Sequence, residues 1–131
     1  MTRDVVAEFA ADNVKYLELR TTPRDVPATR MTKSSYVASV VSAISAAVSS
    51  NKDIIVRLLL AIDRRMSPAD IDETLKLAES YASQSEGVVV GLDLSGDPTV
   101  CALHVLVITE QQSSLDPLLH VWPISQSVWD V

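Results

Sequence analysis

The sequence is poor in cysteine, in basic residues and in long apolar runs. Its single cysteine, Cys101, excludes an internal disulfide and is consistent with a reducing compartment. Eleven basic residues stand against seventeen acidic ones, for a formal charge of -6, so no basic stripe can neutralise a nucleic-acid backbone. The first residues lack the apolar core of a signal peptide, and no apolar run is long enough to span a bilayer. We therefore expect a cytoplasmic protein that binds neither nucleic acid nor membrane.

The residues that are present suffice for a folded α/β domain. The chain has 131 residues, of which 47% are hydrophobic, and this argues against disorder. Three segments have helical periodicity or helix-start signals: residues 4–11, residues 32–48 and a stretch that begins at Ser67 and Pro68. Three segments between or after them have the composition of strands: residues 14–20, 54–62 and 88–94.

Strands that alternate with helices in this way predict a parallel sheet, in which every strand ends at the same edge. Polar clusters follow the three strands, at residues 20–24, 63–65 and 93–97. Ligand sites of parallel α/β folds are built from the loops at this edge. The alternative is that loops are polar in any case and that helix starts attract Ser, Thr and Asp as caps.

Two charged residues of the first strand favour a function over that alternative. Glu18 and Arg20 alternate with Leu17 and Leu19, which places an acid and a base on one face of the strand. In a closed barrel this face points inward, where ions must be paired or used.

The pattern changes after Val100. Residues 102–108 are compatible with a short strand, but the prolines that follow leave no clear helix, and we expect poor order from about Glu110 onward. Cys101 and His104 have a C-x2-H spacing, but a zinc site needs three or four ligands and His120 is the one further candidate here. We expect no metal in this segment.

Three motifs together resemble the adenosine deaminase-like proteins, which remove the amino or methylamino substituent from N6-methyl-AMP and related purine nucleotides. They are KYLELRTTPR at residues 15–24, AIDRR at 61–65 and GLDLSGDP at 91–98. The match runs from about Asp4 to Val100. The resemblance implies a partial (β/α)8 TIM-type barrel with about three parallel strands over residues 1–100, followed by a divergent, irregular tail over residues 101–131.

The resemblance also implies a zinc ion that activates water to attack C6 of the purine, with a glutamate as proton donor. The family's metal and catalytic residues would precede Met1 or follow Val100, and His104 and His120 lie in sequence that does not match the family. We therefore expect zinc in the full-length family, none bound by this chain, and no catalytic residue within it.

Ligand contacts are what the resemblance carries over to this sequence. Thr21, Thr22, Pro23 and Arg24 match a loop that resembles a phosphate cradle, because a guanidinium and hydroxyls suit a monophosphate dianion. Adenosine deaminases whose substrate has no phosphate do not share this form. The expected ligand is a purine nucleoside monophosphate; without the motif, Arg24 is an ordinary solvated arginine.

Two further positions match substrate-contacting residues of the family. Asp63 is expected to accept a hydrogen bond from a ligand hydroxyl or to brace Arg24; the alternative is a charge that favours the N-terminus of the next helix. Gly96 matches the glycine whose backbone approaches the purine edge, and the alternative is an ordinary turn.

We interpret the chain as a fragment or truncated isoform of such an enzyme that is inactive by itself, and we expect members of the family to be monomeric. Three βα units leave the sheet unclosed, with two exposed edges and an uncovered inner face. The alternative is a non-catalytic α/β interaction module or pseudoenzyme, built on a small open sheet of flavodoxin-like outline.

Overall fold

The structure is a computed structural model that describes residues 1–97 and, for the backbone alone, residues 120–123 and 129–130. Its helices are α1 (Thr2–Ala11), α2 (Lys33–Ser50) and α3 (Pro68–Gln84). Its strands are β1 (Tyr16–Thr21), β2 (Ile55–Asp63), β3 (Val89–Ser95), β4 (His120–Pro123) and β5 (Trp129–Asp130). Up to β3 the order is that of the prediction, with helices and strands in alternation.

The helices begin and end at local signals in the sequence. Thr32 caps α2 by accepting a hydrogen bond from the backbone N–H of Ser35, whose own hydroxyl accepts one from the Thr32 N–H. Ser67 caps α3 in the same way, with Pro68 at the first helical position. Asn13 follows α1 in a left-handed conformation, as predicted. None of the helices in the described ranges is long and apolar enough to cross a membrane.

The strands form one parallel sheet in the order β4-β3-β2-β1-β5. The side of the sheet that faces the helices is aliphatic and carries the core. Its buried residues include Leu19 of β1, Leu58 and Leu60 of β2, and Leu92 of β3, packed with Val37 and Ile44 of α2 and with Ile71 and Leu75 of α3. The burial of this one face is the main favourable contribution to the fold, because apolar surface leaves water there.

The sheet edges differ from the prediction. β4 pairs with β3 from Gly91–His120 to Leu94–Pro123, and β5 pairs with the end of β1. Both edges expected to be exposed therefore have a partner, and two short pieces of the segment expected to be irregular lie in the sheet. Unpaired N–H and C=O groups on a strand edge attract any available strand, which is the physical reason for this pairing. The strand predicted at residues 102–108 lies outside the described residues.

Candidate substrate-binding rim

Three loops lie along one edge of the sheet. In the parallel register Thr21 pairs with Leu60 and Asp63 pairs with Ser95, so β1, β2 and β3 end side by side. We call the residues at these three strand ends the rim and define it as residues 21–24, 63–65 and 95–97. The predicted convergence of the polar clusters on one edge is confirmed.

The first loop of the rim is organised by a tyrosine from α2. Thr21 is 1% exposed, and its hydroxyl is hydrogen-bonded to the hydroxyl of Tyr36 at 2.8 Å. Pro23 is buried, Thr22 is partly buried and Arg24 is exposed. The guanidinium carbon of Arg24 lies 5.8 Å from the centroid of the Tyr36 ring, which is within the range of a cation–π contact. The side chain of Thr21 is thus buried against Tyr36, and that of Arg24 is exposed to solvent.

The rest of this loop is folded as well. Residues Pro27–Thr29 form a turn of 3-10 helix, and Arg30 follows in a left-handed conformation. Val26 and Met31 pair as an antiparallel bridge across it. The carboxylate of Asp25 accepts a hydrogen bond from the first N–H of α2 at 2.9 Å. These contacts tie the segment after Arg24 to the start of α2.

The second loop is closed on itself by an ion pair. Both carboxylate oxygens of Asp63 accept hydrogen bonds from the guanidinium of Arg65, at 2.9 and 2.7 Å, and one of them also accepts from the Arg65 backbone N–H at 2.8 Å. The Arg65 side chain, followed by this backbone N–H, lowers the pKa of Asp63 to about 2. Asp63 is therefore bound to Arg65, and the predicted bracing of Arg24 is not what the structure shows.

Gly96 brings the third loop against the second. Its φ of +96° is in the region that disfavours side chains, and a Cβ atom there would lie 2.8 Å from Oδ1 of Asp63 and 3.1 Å from the backbone N of Arg64. The N–H of Arg64 also donates to the carbonyl of Ser95 at 3.0 Å. The close approach that requires glycine at this position is an approach to Asp63. Contact of Gly96 with a purine edge stays a prediction.

The inner face of the sheet, which points away from the helices, carries an ion pair between β1 and β3. Nη1 of Arg20 lies 2.9 Å from Oδ2 of Asp93, across the intervening strand β2, and the two side chains are 22% and 7% exposed. The carboxylate of Glu18 accepts a hydrogen bond from the Tyr16 hydroxyl at 2.7 Å. The prediction was that ions on this face are paired or used, and Arg20 is paired, which joins β1 to β3.

Sequence reasoning did not identify the partners in these clusters. These partners are Tyr36 for Thr21, Arg65 for Asp63 and Asp93 for Arg20. A signal existed for Arg65, because a basic residue two positions after an acid in a short loop often pairs with it. For Tyr36 the helix pattern fixed its place in the first turn of α2 but not which strand end it faces.

The described residues do not fit a zinc site. A protein zinc site needs at least three converging His, Cys, Asp or Glu ligands. Within residues 1–97, no group of three such side chains is placed to hold a metal ion. No step of a reaction is therefore assigned through zinc to these residues.

Two cavities lie at the opposite edge of the sheet, where the strands begin. One of about 330 Å³ is bordered by Asn13, Lys15 and Asp53, and one of about 390 Å³ lies between the end of α2 and the loop before β3. In barrel folds the amino edge serves stability and the carboxyl edge serves function. We therefore place the candidate site at the rim and not in these cavities.

The parallel sheet with its helices has the architecture of a segment of a (β/α)8 barrel. The chain belongs to the adenosine deaminase family, whose family model matches residues 1–108. It is similar to the N6-methyl-AMP deaminase of Homo sapiens, with 56% identity over 100 residues that cover 76% of this chain and 28% of that protein. The chain thus spans less than a third of the length of this relative.

Solved structures agree with the family and the fold. A crystal structure of the Arabidopsis N6-mAMP deaminase is 38% identical, with a TM-score of 0.76, and the match covers 93% of this chain and 37% of that one. An Arabidopsis relative crystallised with IMP is 36% identical, with a TM-score of 0.72 and coverage of 93% and 36%. The predicted partial barrel with three parallel strands alternating with helices is confirmed.

Proposed function

We propose that this chain forms part of the substrate-binding rim of an N6-methyl-AMP deaminase and that Arg24 contacts the phosphate of a purine nucleoside monophosphate. The reaction of the complete protein is hydrolytic removal of the N6 substituent. The support for this assignment is the similarity to N6-methyl-AMP deaminases over a segment of their length, together with the state of Arg24.

The observation that carries the proposal is an exposed guanidinium that has no counter-charge in the part of the chain that the structure describes. No carboxylate there pairs with Arg24, although the chain has an excess of acidic groups. A planar guanidinium with open donors suits the oxygens of a phosphate dianion. Thr22, partly buried and two residues before Arg24 in the same loop, has a hydroxyl that can supply a further hydrogen bond. An Arabidopsis relative has been crystallised with IMP, a ligand that carries such a phosphate.

The other predicted contacts take more limited roles in this proposal. The hydroxyl of Thr21 is buried against Tyr36, and Pro23 is buried, so these two residues shape the loop. Asp63 keeps lone pairs beyond those that Arg65 occupies, and we assign it a hydrogen bond from a ligand hydroxyl. We assign the backbone of Gly96 the contact with the purine edge that the motif predicts, beside its close packing against Asp63.

Binding of IMP and of inosine by the purified chain tests the phosphate contact. Arg24→Gln is expected to weaken IMP binding about tenfold or more and to leave inosine binding unchanged, because a charge-assisted hydrogen bond is worth about 1.5–3 kcal/mol. Arg3→Gln is the matched control, since Arg3 is an exposed arginine on α1. Equal affinity of the wild type for IMP and inosine, measured by calorimetry, would refute the proposal.

Catalysis by the isolated chain is a separate question. We propose that it binds the nucleotide without turning it over, because the family's metal and catalytic residues have no counterpart in the motifs of this chain. Incubation with N6-methyl-AMP and zinc, followed by chromatography for IMP, tests this. Rapid formation of IMP would show that the catalytic groups are present after all.

A further inference from the structure

Tyr36 contacts Thr21 and Arg24, the first and last residues of the rim segment 21–24, and nothing in the family motifs assigns it a role. We infer that Tyr36 is a positioning residue that holds Arg24 ready for a phosphate and so makes the site prefer nucleotides over nucleosides. This inference rests on the proposed function and concerns the same site. Two contacts support it, one made by the hydroxyl of Tyr36 and one made by its ring.

The hydroxyl contact fixes where the loop begins. Thr21 is the last residue of β1 and lies on the helix-facing side of the sheet at 1% exposure. Its hydroxyl and that of Tyr36 are 2.8 Å apart, with either as the donor. A buried hydroxyl needs such a partner, because an unsatisfied one costs stability. The bond therefore anchors the strand end to the first turn of α2.

The ring contact restrains the arginine three residues later. The Arg24 guanidinium lies over the Tyr36 ring, with its carbon 5.8 Å from the centroid. A neutral ring attracts the cation but leaves its N–H donors unused, whereas a carboxylate would consume them. An arginine held in this way loses less rotamer freedom when it binds an anion. The ring thus restrains the side chain of Arg24 and leaves its charge and its N–H donors free for a phosphate.

The place of Tyr36 is itself fixed by the start of α2. Its N–H donates to the carbonyl of Thr32 at 2.8 Å, and Thr32 and Ser35 form the reciprocal cap of the helix. The buried amine of Lys33, 7% exposed at its side chain, binds Asp70 and Glu73 of α3. The cap at Thr32 and Ser35 thus fixes Tyr36 as a support for the loop, and the ion pairs of Lys33 separately attach α2 to the next helix.

Two substitutions separate the contributions of the hydroxyl and of the ring. Tyr36→Phe keeps the ring below Arg24 and removes the bond to Thr21; Tyr36→Leu removes both. We expect Tyr36→Leu to weaken IMP binding about tenfold, Tyr36→Phe to weaken it about twofold, and neither to change inosine binding, because the arginine alone senses the phosphate. Tyr81→Leu is the matched control, since Tyr81 lies on α3 and contacts the backbone of Ser34 instead.

A double-mutant cycle distinguishes positioning from a general loss of structure. Once Arg24 has been replaced by Gln, Tyr36→Leu is expected to have no further effect on IMP binding, because the group it positions is gone. Additive losses, or equal losses for IMP and inosine, would overturn the inference. So would an unchanged IMP affinity in Tyr36→Leu.

The motion of Arg24 provides a test that needs no nucleotide. In NMR relaxation the Nε–H of Arg24 is expected to be restrained in the wild type and in Tyr36→Phe, and mobile in Tyr36→Leu. Equal mobility in all three proteins would overturn the inference even if IMP binds. If the wild type binds IMP no better than inosine, the proposed function fails, and the relaxation data still decide whether Tyr36 positions Arg24.

Discussion

The first two loops of the rim each present an arginine at the same edge of the sheet, yet the two arginines are in opposite electrostatic states. Arg24, after β1, lies over the neutral ring of Tyr36. Arg65, after β2, donates hydrogen bonds to Asp63 from two guanidinium nitrogens and from its backbone N–H. The guanidinium of Arg24 is open to an anion, whereas that of Arg65 is already paired with the carboxylate of Asp63.

The difference follows from the length and content of the loops. Three residues separate Asp63 from Ser67, the cap of α3, so an acid and a base two positions apart meet within the loop. The loop after β1 runs over ten residues to Thr32, and its acid, Asp25, turns to the N-terminus of α2 instead. The number of basic residues at an edge therefore does not locate an anion site. The site is located by finding which basic side chains have no acidic partner.

The largest effect on stability is expected at Gly96, which packs against Asp63 and Arg64 in the loop after β2. Gly96→Ala forces a side chain at positive φ and into Asp63, and we expect a loss of about 3 kcal/mol in the free energy of unfolding by urea. Gly87→Ala is the control, because Gly87 also has positive φ but open space around it. We expect about 1 kcal/mol there. Equal losses at both sites would mean that the packing against Asp63 is unimportant.

An intermediate effect is expected at Lys33, which joins the helices that follow the two loops. Burial disfavours its charge, but the hydrogen bonds that the amine donates to Asp70 and Glu73 outweigh burial and raise the pKa of Lys33. Lys33→Met removes both ion pairs, and we expect a loss of about 2 kcal/mol in the free energy of unfolding. Lys76→Met is the control, because its pair with Asp72 is exposed to solvent and its loss should be much smaller.

The same Lys33 variant tests whether the two loops act separately. If Arg24 is held by Tyr36 and not through α3, Lys33→Met should lower stability and leave IMP affinity unchanged. A parallel loss of affinity would show that the β1 loop depends on the helix after β2. Calorimetric titration at a temperature well below the unfolding transition separates the two outcomes.

The sequence predicts the framework of the molecule better than the contacts of its rim. Helical and strand periodicity are local signals, and so are the caps at Thr32 and Ser67, so the α/β alternation follows from residues close together in the chain. Parallel topology then places the strand ends at one edge without further information. β4 and β5 have four and two residues, too few for periodicity, and their pairing is decided by distant strands.

The contacts of the rim depend on side-chain geometry that no spacing encodes. Tyr36 reaches Thr21 from fifteen positions away, and Arg20 reaches Asp93 from seventy-three. Asp63 shows the reverse case: it is paired with its neighbour Arg65 and does not brace Arg24, which was one of the two roles expected for it. A motif therefore indicates which residues belong to a site, and the structure decides which of them are open to a ligand.

The smallest effect is expected from Asp63 itself, and it tests the electrostatic difference between the loops directly. The folded pKa of about 2 lies below the ordinary value of 3.8, so the Asp63 charge stabilises the protein above pH 3.8 and this contribution is lost as the pH falls toward 2. Because Arg65 is largely exposed, we expect Asp63→Asn to cost only about 1 kcal/mol at pH 7. The difference from the wild type should shrink between about pH 4 and pH 2.

The same substitution should also change binding, because Asp63→Asn removes the carboxylate that occupies the guanidinium of Arg65. We expect the affinity for inorganic phosphate to rise by about threefold, since the guanidinium of Arg65 then becomes available to an anion at the rim. Asp53→Asn, which removes one exposed carboxylate at the opposite edge, controls for the change in net charge. If both variants raise phosphate affinity equally, net charge governs anion binding, and the contrast between an open Arg24 and an occupied Arg65 does not explain it.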